Sequence, residues 1–249
     1  MLVLIFRLEK WFRTRHLGTA LRLQRFNSWL SHLSQSAAKP DTRVLISMCT
    51  FNGASWVESA IESVLEQSHT NWFLSVIDDG STDDTKKILL KYQKNYPRQI
   101  QVNALSQNSW PKNNVNLNIE QFLAEKSFHV FTILDQDDVA EVDWLQIGLR
   151  LLNHKVKCIR CKNARYNESL TKHLYDYPAA SQLFLARDVV ERVGFRVQRG
   201  SAIVGDTEYL MRVEQDAIDH NHAVILTKPI CQKMRVHASN MSRQKRRRE

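Results

Sequence analysis

The chain has 249 residues, 43% hydrophobic and 24% charged, which suits a globular protein with room for one α/β domain and a sizeable core. Its net charge of +9 is uneven: residues 1–40 carry +6, residues 243–249 carry +4, and the 202 residues between them carry −1. That distribution argues against a basic groove across the domain; the basic ends suit an anionic surface, either phospholipid headgroups or a nucleic acid, of which nucleic acid is the less expected partner.

Met1–Phe6 is too short an apolar run to span a bilayer, which takes roughly 20 residues. Charges follow it instead of preceding it, so it does not read as a cleavable signal. Leu8, Trp11, Phe12, Leu21, Phe26, Trp29, Leu30 and Leu33 then recur near helical spacing, with Arg7, Arg13, Arg15, Arg22 and Arg25 mostly off that stripe. Such a helix lies on a membrane interface, or packs on its own domain or a second subunit. Ser34–Pro40 reads as a linker. The expected organisation is a basic amphipathic extension and linker over 1–40, one domain over 41–242 and a basic tail over 243–249. The expected location is cytoplasmic, with peripheral contact on the inner face of the membrane.

From Thr42 onward short apolar strands alternate with helices. Val44–Met48, Trp72–Ile77, Ile100–Leu105 and Val130–Leu134 read as strands, and Trp56–Gln67, Thr85–Tyr92, Val115–Ala124 and Asp143–Leu152 as helices. This alternation predicts βαβ units and a mainly parallel sheet flanked by helices on both faces. Beyond Leu152 the pattern is less regular.

In open α/β sheets ligands bind at the carboxyl ends of the strands, and here those ends carry the unusual polar residues. Cys49-Thr50-Phe51-Asn52-Gly53 follows the first strand, Asp78-Asp79-Gly80-Ser81-Thr82-Asp83-Asp84 the second, and Asp135-Gln136-Asp137-Asp138 the fourth. Asp135, Asp137 and Asp138 repel one another unless a cation or several donors offset them. Mg²⁺ or Mn²⁺, bridging one or two carboxylates to substrate phosphates, meets that need; a solvated acidic loop is the other reading. Asp78-Asp79-Gly80-Ser81 suits a sharp turn, with Asp83 or Asp84 capping the next helix. A turn does not require two acids before the glycine, which leaves a carboxylate to read a ribose or base. No GxGxxG or GxxxxGK[ST] occurs, so a dinucleotide fold and a P-loop are unsupported. Cys158-Ile159-Arg160-Cys161 is a lone C-x-x-C without a second pair, and reduced thiols are expected.

The segments Ile46–Gly53, Ile61–Ser68 and Val76–Thr85 together resemble the opening of family 2 glycosyltransferases. Asp135-Gln136-Asp137-Asp138 resembles that family's DxD metal motif. Leu183–Arg187, Val193–Phe195 and Gly205–Arg212 resemble its acceptor-side motifs, and Arg235–Ser242 its closing R-x-H segment. The resemblance implies a GT-A fold: a nucleotide-binding α/β sheet with a smaller mixed acceptor-side half. It implies that Phe51 stacks on the base, that Cys49 and Asn52 line the same pocket, and that Asp79 binds base or ribose. Asp137 and Asp138 would face ribose and metal, Asp138 coordinating directly, with Asp135 and His237 assisting at the metal. Asp206 falls where the family places its general base. The stretch reads Gly205-Asp206-Thr207-Glu208 where Glu-Asp is common, so Glu208 competes for that role.

The implied activity is inverting transfer of a sugar from a nucleotide-diphosphate donor to a hydroxyl on a glycan or lipid-linked acceptor, with Mn²⁺ or Mg²⁺. By analogy the product belongs to a bacterial envelope or capsular polysaccharide. Two alternatives stand beside it. A sugar-phosphate nucleotidyltransferase also needs acids and a metal, but would bring a glycine-rich phosphate loop that seven scattered glycines do not offer. An inactive sugar- or nucleic-acid-binding module would not need intact acids at Asp79, Asp138 and Asp206.

Overall fold

A computed structural model describes residues 40–108, 114–194 and 206–238. The expected N-terminal extension, Pro40 excepted, and the basic tail lie outside these residues.

The strands are β1 (Val44–Thr50), β2 (Trp72–Asp78), β3 (Ile100–Ala104), β4 (Val130–Ile133), β5 (Val139–Ala140), β6 (Val156–Asn167), β7 (His173–Ala186) and β8 (Ala223–Val236). The helices are α1 (Val57–Leu65), α2 (Thr85–Asn95), α3 (Asn114–Ala124), α4 (Trp144–Leu151), α5 (Arg187–Val193) and α6 (Asp206–Asp219). The expected elements appear in the expected order, with ends displaced by one to three residues. The strands form one sheet in the order β3-β2-β1-β4-β7-β6-β8-β5.

The sheet has two characters. β3, β2, β1 and β4 run parallel, each reached by a helical crossover. Beyond β4 the direction reverses at β7, β6 pairs antiparallel with β7, and β8 lies parallel to β6. The stretch without clear alternation thus holds the three longest described strands. Cys158 and Cys161 are both on β6, but they pack in different clusters on opposite faces of the sheet. They are free thiols that cannot share a metal ion, consistent with the reading of reduced cysteines.

β1 shows why the sheet is covered twice. Val44, Ile46 and Met48 pack with Val57 and Ile61 of α1, Leu89 of α2, and Trp144 and Leu145 of α4. Leu45, between them, belongs to the opposite layer, with Ile119 and Phe122 of α3, Val189 and Val190 of α5, and Tyr209 and Val213 of α6. A strand buried on both sides is apolar at successive positions, as Val44–Ile46 are, and buried Ser47 is met by the Asn118 Nδ2, which donates to its hydroxyl at 2.8 Å.

Arg187 ties the two halves together. Its guanidinium donates to the carbonyls of Phe122, Leu123, Glu125 and Phe128 at 2.8–3.1 Å, and sits 5.0 Å from the Phe122 ring centroid. Phe122 and Leu123 lie in the last turn of α3, where helical acceptors lack intrahelical partners and a cation is favourable, and Glu125 and Phe128 lie in the segment that follows. Arg187→Met keeps most of the stem and removes the donors. We expect it to cost about 2–3 kcal/mol and to lower Tm by roughly 5–10 °C in a thermal melt. An unchanged Tm would show that the cap is dispensable.

Candidate active site

Because β2, β1 and β4 are adjacent and parallel, the loops leaving their carboxyl ends converge. Thr50 and Asp78 are register partners at the ends of β1 and β2, and the Asp79 N–H donates to the Thr50 carbonyl at 2.8 Å. Asp78 is buried and accepts hydrogen bonds from Thr50 and Ser81, so it builds the turn. Gly80 has φ +74°, and a Cβ there would lie 2.7 Å from the Gln107 backbone, so the turn demands glycine. Asp79 is also buried, with 2% of its surface exposed.

The loop after β1 lies against this turn. Asn52 adopts a left-handed φ of 46°, and its Oδ1 accepts the Thr82 N–H at 2.9 Å. Its own N–H donates to the Ser81 hydroxyl at 3.0 Å. Asn52 therefore fastens two loops together, while Phe51 beside it is exposed and Cys49 is half-buried. Asp83 accepts from the Ala54 N–H at 3.1 Å and from the Thr85 N–H and hydroxyl at the start of α2. Burial opposes its charge, but these hydrogen bonds, led by the Thr85 hydroxyl, outweigh it and hold its pKa below the usual range. Of the two capping candidates, Asp83 does the work, and Asp84 makes no side-chain cap.

Each acid after β4 has its own partner. Asp135 accepts from the Gln182 carboxamide of β7 at 2.8 Å. Asp137 faces the Nε2 of His237, just past β8, at 2.9 Å. Asp138 is buried and accepts the backbone N–H of Arg235 at 3.1 Å. Burial, with the Asp137 and Asp135 carboxylates, pushes the Asp138 pKa well above the usual carboxylate range, against the pull of the Arg235 N–H and Arg165. Across the mouth, Trp56, immediately before α1, stacks on His237 with ring centroids 5.0 Å apart. The Arg235 guanidinium lies 5.2 Å from the Trp56 ring and donates to Ser59 and to the Glu168 carbonyl, each at 2.8 Å.

The structure thus brings together Cys49, Phe51, Asn52, Asp79, Asp135, Asp137, Asp138 and His237. It adds Trp56, Gln182 and the side chain of Arg235. Trp56 could have been suspected from its place directly after the first loop, but no sequence pattern marks Gln182. Glu208 on α6 is held by Arg212, whose Nη2 lies 3.1 Å from one oxygen while Nε engages the other. Arg212 also donates to the Val193 carbonyl at 2.7 Å. Asp206 opens α6, and its side chain is outside the described set.

Carboxylate oxygens and one imidazole are donors that suit Mn²⁺ or Mg²⁺, and the repulsion concentrated on Asp138 is what a cation would relieve. Among the described residues no three such side chains close on a common point. A metal here would need phosphate or water oxygens to complete its shell.

A twisted sheet, parallel on one side, mixed on the other and lined with acids at the join, is the GT-A architecture of sugar-transferring enzymes. S. aureus TarS residues 1–349 with UDP superposes with a TM-score of 0.63 at 14% identity, covering 78% of this chain and 61% of that one. The mannosyltransferase PcManGT of Pyrobaculum calidifontis, with GDP-Man and Mn²⁺, gives 0.63 at 15% identity over 92% and 71%. The model for glycosyl transferase family 2 matches residues 45–204, and the chain belongs to that family. It is 34% identical over 110 residues to a putative teichuronic acid biosynthesis glycosyltransferase of Bacillus subtilis, TuaG, covering 43% of this chain and 42% of that protein. It is 29% identical over 133 residues to the dTDP-rhamnosyl transferase RfbG of Shigella flexneri, covering 52% and 45%. The matched segments span less than half the length of these two relatives.

Ionising Asp138 costs the fold stability, since a raised native pKa means stability falls as pH rises past the ordinary carboxylate range. Asp138→Asn keeps the acceptor for Arg235 and removes the charge. In chelator at neutral pH its Tm should equal or exceed that of the parent protein. A clear loss would refute charge repulsion at this position.

Proposed function

We propose that the chain transfers a sugar, with inversion, from a nucleoside-diphosphate sugar to an acceptor hydroxyl, dependent on Mn²⁺ or Mg²⁺. The observation that carries this reading is the convergence of the β1, β2 and β4 loops with His237 on one acid-lined mouth. The solved neighbours hold UDP or GDP-Man, which supports a nucleotide-sugar donor. Relatives named for teichuronic acid synthesis, rhamnosyl transfer and teichoic acid polymerisation support an acceptor in a bacterial envelope polymer.

Phe51, exposed at the rim, receives the base, with Cys49 behind it; Asn52 shapes the wall by holding the Thr82 backbone. Asp79 and Asp137 orient base and ribose, and Asp138, Asp135 and His237 would hold the metal. When bound, the metal neutralises charge developing on the departing diphosphate. His237 keeps its ring orientation through Trp56 and Asp137. A hydroxyl is a poor nucleophile at neutral pH, so a carboxylate takes its proton as it attacks the anomeric carbon from the side opposite the diphosphate. We assign that base to Asp206. Glu208 accepts two hydrogen bonds from Arg212, and an ion-paired carboxylate is a weaker base.

A transfer assay with a panel of nucleotide sugars tests this reading. Activity should vanish in EDTA and return with Mn²⁺ or Mg²⁺; full activity in chelator would remove the metal role. Asp206→Asn should lower kcat by about 10²–10⁴-fold with nucleotide affinity nearly intact, while Glu208→Gln retains transfer. The reverse pattern would make Glu208 the base.

The basic extension over residues 1–40 is proposed to rest on an anionic membrane, since it carries a net charge of +6 and places Trp11 and Trp29 on its apolar stripe. The full chain should co-sediment with anionic vesicles more than with neutral ones, and less at high salt. Equal binding to both would remove the membrane role.

A further inference from the structure

Gln136, the residue between the acids, does not point toward a substrate. Its side chain turns back to the loop after β1. Oε1 accepts the Phe51 N–H at 3.0 Å, and Nε2 donates to the Phe51 carbonyl at 3.3 Å. A carboxamide can pair with both groups of one residue because it carries one acceptor and one donor side by side, as a backbone peptide does. Glutamate offers only acceptors and would face the Phe51 carbonyl with like charge. Asparagine is one methylene shorter.

Gly53 supplies a second, independent observation. Its φ is not among the positive values, so no left-handed backbone demands glycine there. The demand is spatial: a Cβ at position 53 would lie 2.2 Å from Gln136 Oε1 and 2.7 Å from its Cδ. The carboxamide could swing away from a methyl group, but doing so would abandon both Phe51 hydrogen bonds. Gly53 therefore leaves room for the pairing, and alanine there would act as a substitution of Gln136 does.

We infer that Gln136 is a positioning residue that locks the Phe51 loop to the Asp135–Asp138 loop across 85 residues of sequence. It rests on the reading above in one respect, that Phe51 meets the nucleotide base while the acids face its ribose and diphosphate. Base and diphosphate belong to one ligand, so the two loops that receive them must come to one relative position when it binds. Preorganising them lowers the cost of binding. The lock serves donor affinity and leaves the proton transfer step alone.

The experiment uses the full chain as the parent protein and as Gln136→Ala, Gln136→Glu, Gly53→Ala and the double variant Gln136→Ala/Gly53→Ala. Hydrogen exchange read at the Phe51 amide tests the lock without any ligand: protection in the parent should be lost in Gln136→Ala, Gly53→Ala and the double variant, whereas Gln136→Glu keeps an acceptor for the Phe51 N–H and should retain part of it. Calorimetric titration with UDP and with GDP, in Mn²⁺, tests the consequence. Each single variant should bind the preferred nucleotide about tenfold more weakly, the scale of one or two net hydrogen bonds. The double variant should be no weaker than the worse single, because both changes break the same contact. In turnover, donor KM should rise while kcat changes little. Unchanged Phe51 protection, or losses that add in the double variant, would overturn the lock. If the parent protein bound neither nucleotide, the functional reading would fall, and the exchange result would still decide the lock.

Discussion

Three carboxylates within four residues at the end of a buried strand are the constraint around which this molecule is arranged. Like charges at that spacing destabilise a fold unless each is answered. The answers come from three places: the Gln182 carboxamide on β7, the His237 imidazole after β8, and the Arg235 backbone N–H on β8. β7 therefore lies beside β4, and the end of β8 reaches the loop that follows β4. The reversal at β7 brings Gln182 to the acids, while β8, restored to the direction of β4, delivers Arg235 and His237 from its carboxyl end.

The same geometry divides labour among residues that look alike in sequence. Asp78 and Asp83 shape turns, whereas Asp137 faces a histidine and Asp138 carries the repulsion. Glu208, on α6, is ion-paired with Arg212. Arg187 lies within an acceptor-side motif by resemblance and acts here as the cap of α3.

Much of the parallel half was legible in the sequence because a strand buried on both faces leaves a mostly apolar run, broken only by Thr132 in Val130–Ile133, and a surface helix leaves a stripe, as in Val57–Val64. The acids were legible because they are adjacent. The mixed half was not. β6 alternates Lys157, Arg160, Lys162 and Arg165 with buried residues, a pattern that draws the eye to its two cysteines instead of to a strand. Gln182, Trp56 and the side chain of Arg235 were missed for a different reason. Their contacts to Asp135, His237 and Ser59 follow from strand register over separations of 47 residues or more, which no local period encodes. The two-loop role of Gln136 was hidden in the same way, although the residue itself sits in the middle of the motif.

The position of β3 and β5 at the ends of the sheet bears on how copies of the molecule meet. An exposed strand edge is a template on which another chain can add a strand, and folded proteins blunt such edges. β5 has two residues, too few to guide an incoming strand. β3 has five, with Gln101 and Asn103 exposed on it. Of the long strands only β6 has long partners on both sides; β7 meets β4 at Leu185 and Ala186, and β8 meets β5 at Gln232 and Lys233. Among the described residues β3 and β5 are thereby poor templates for strand addition, and an incoming strand would find its longer edge on the part of β8 before Gln232.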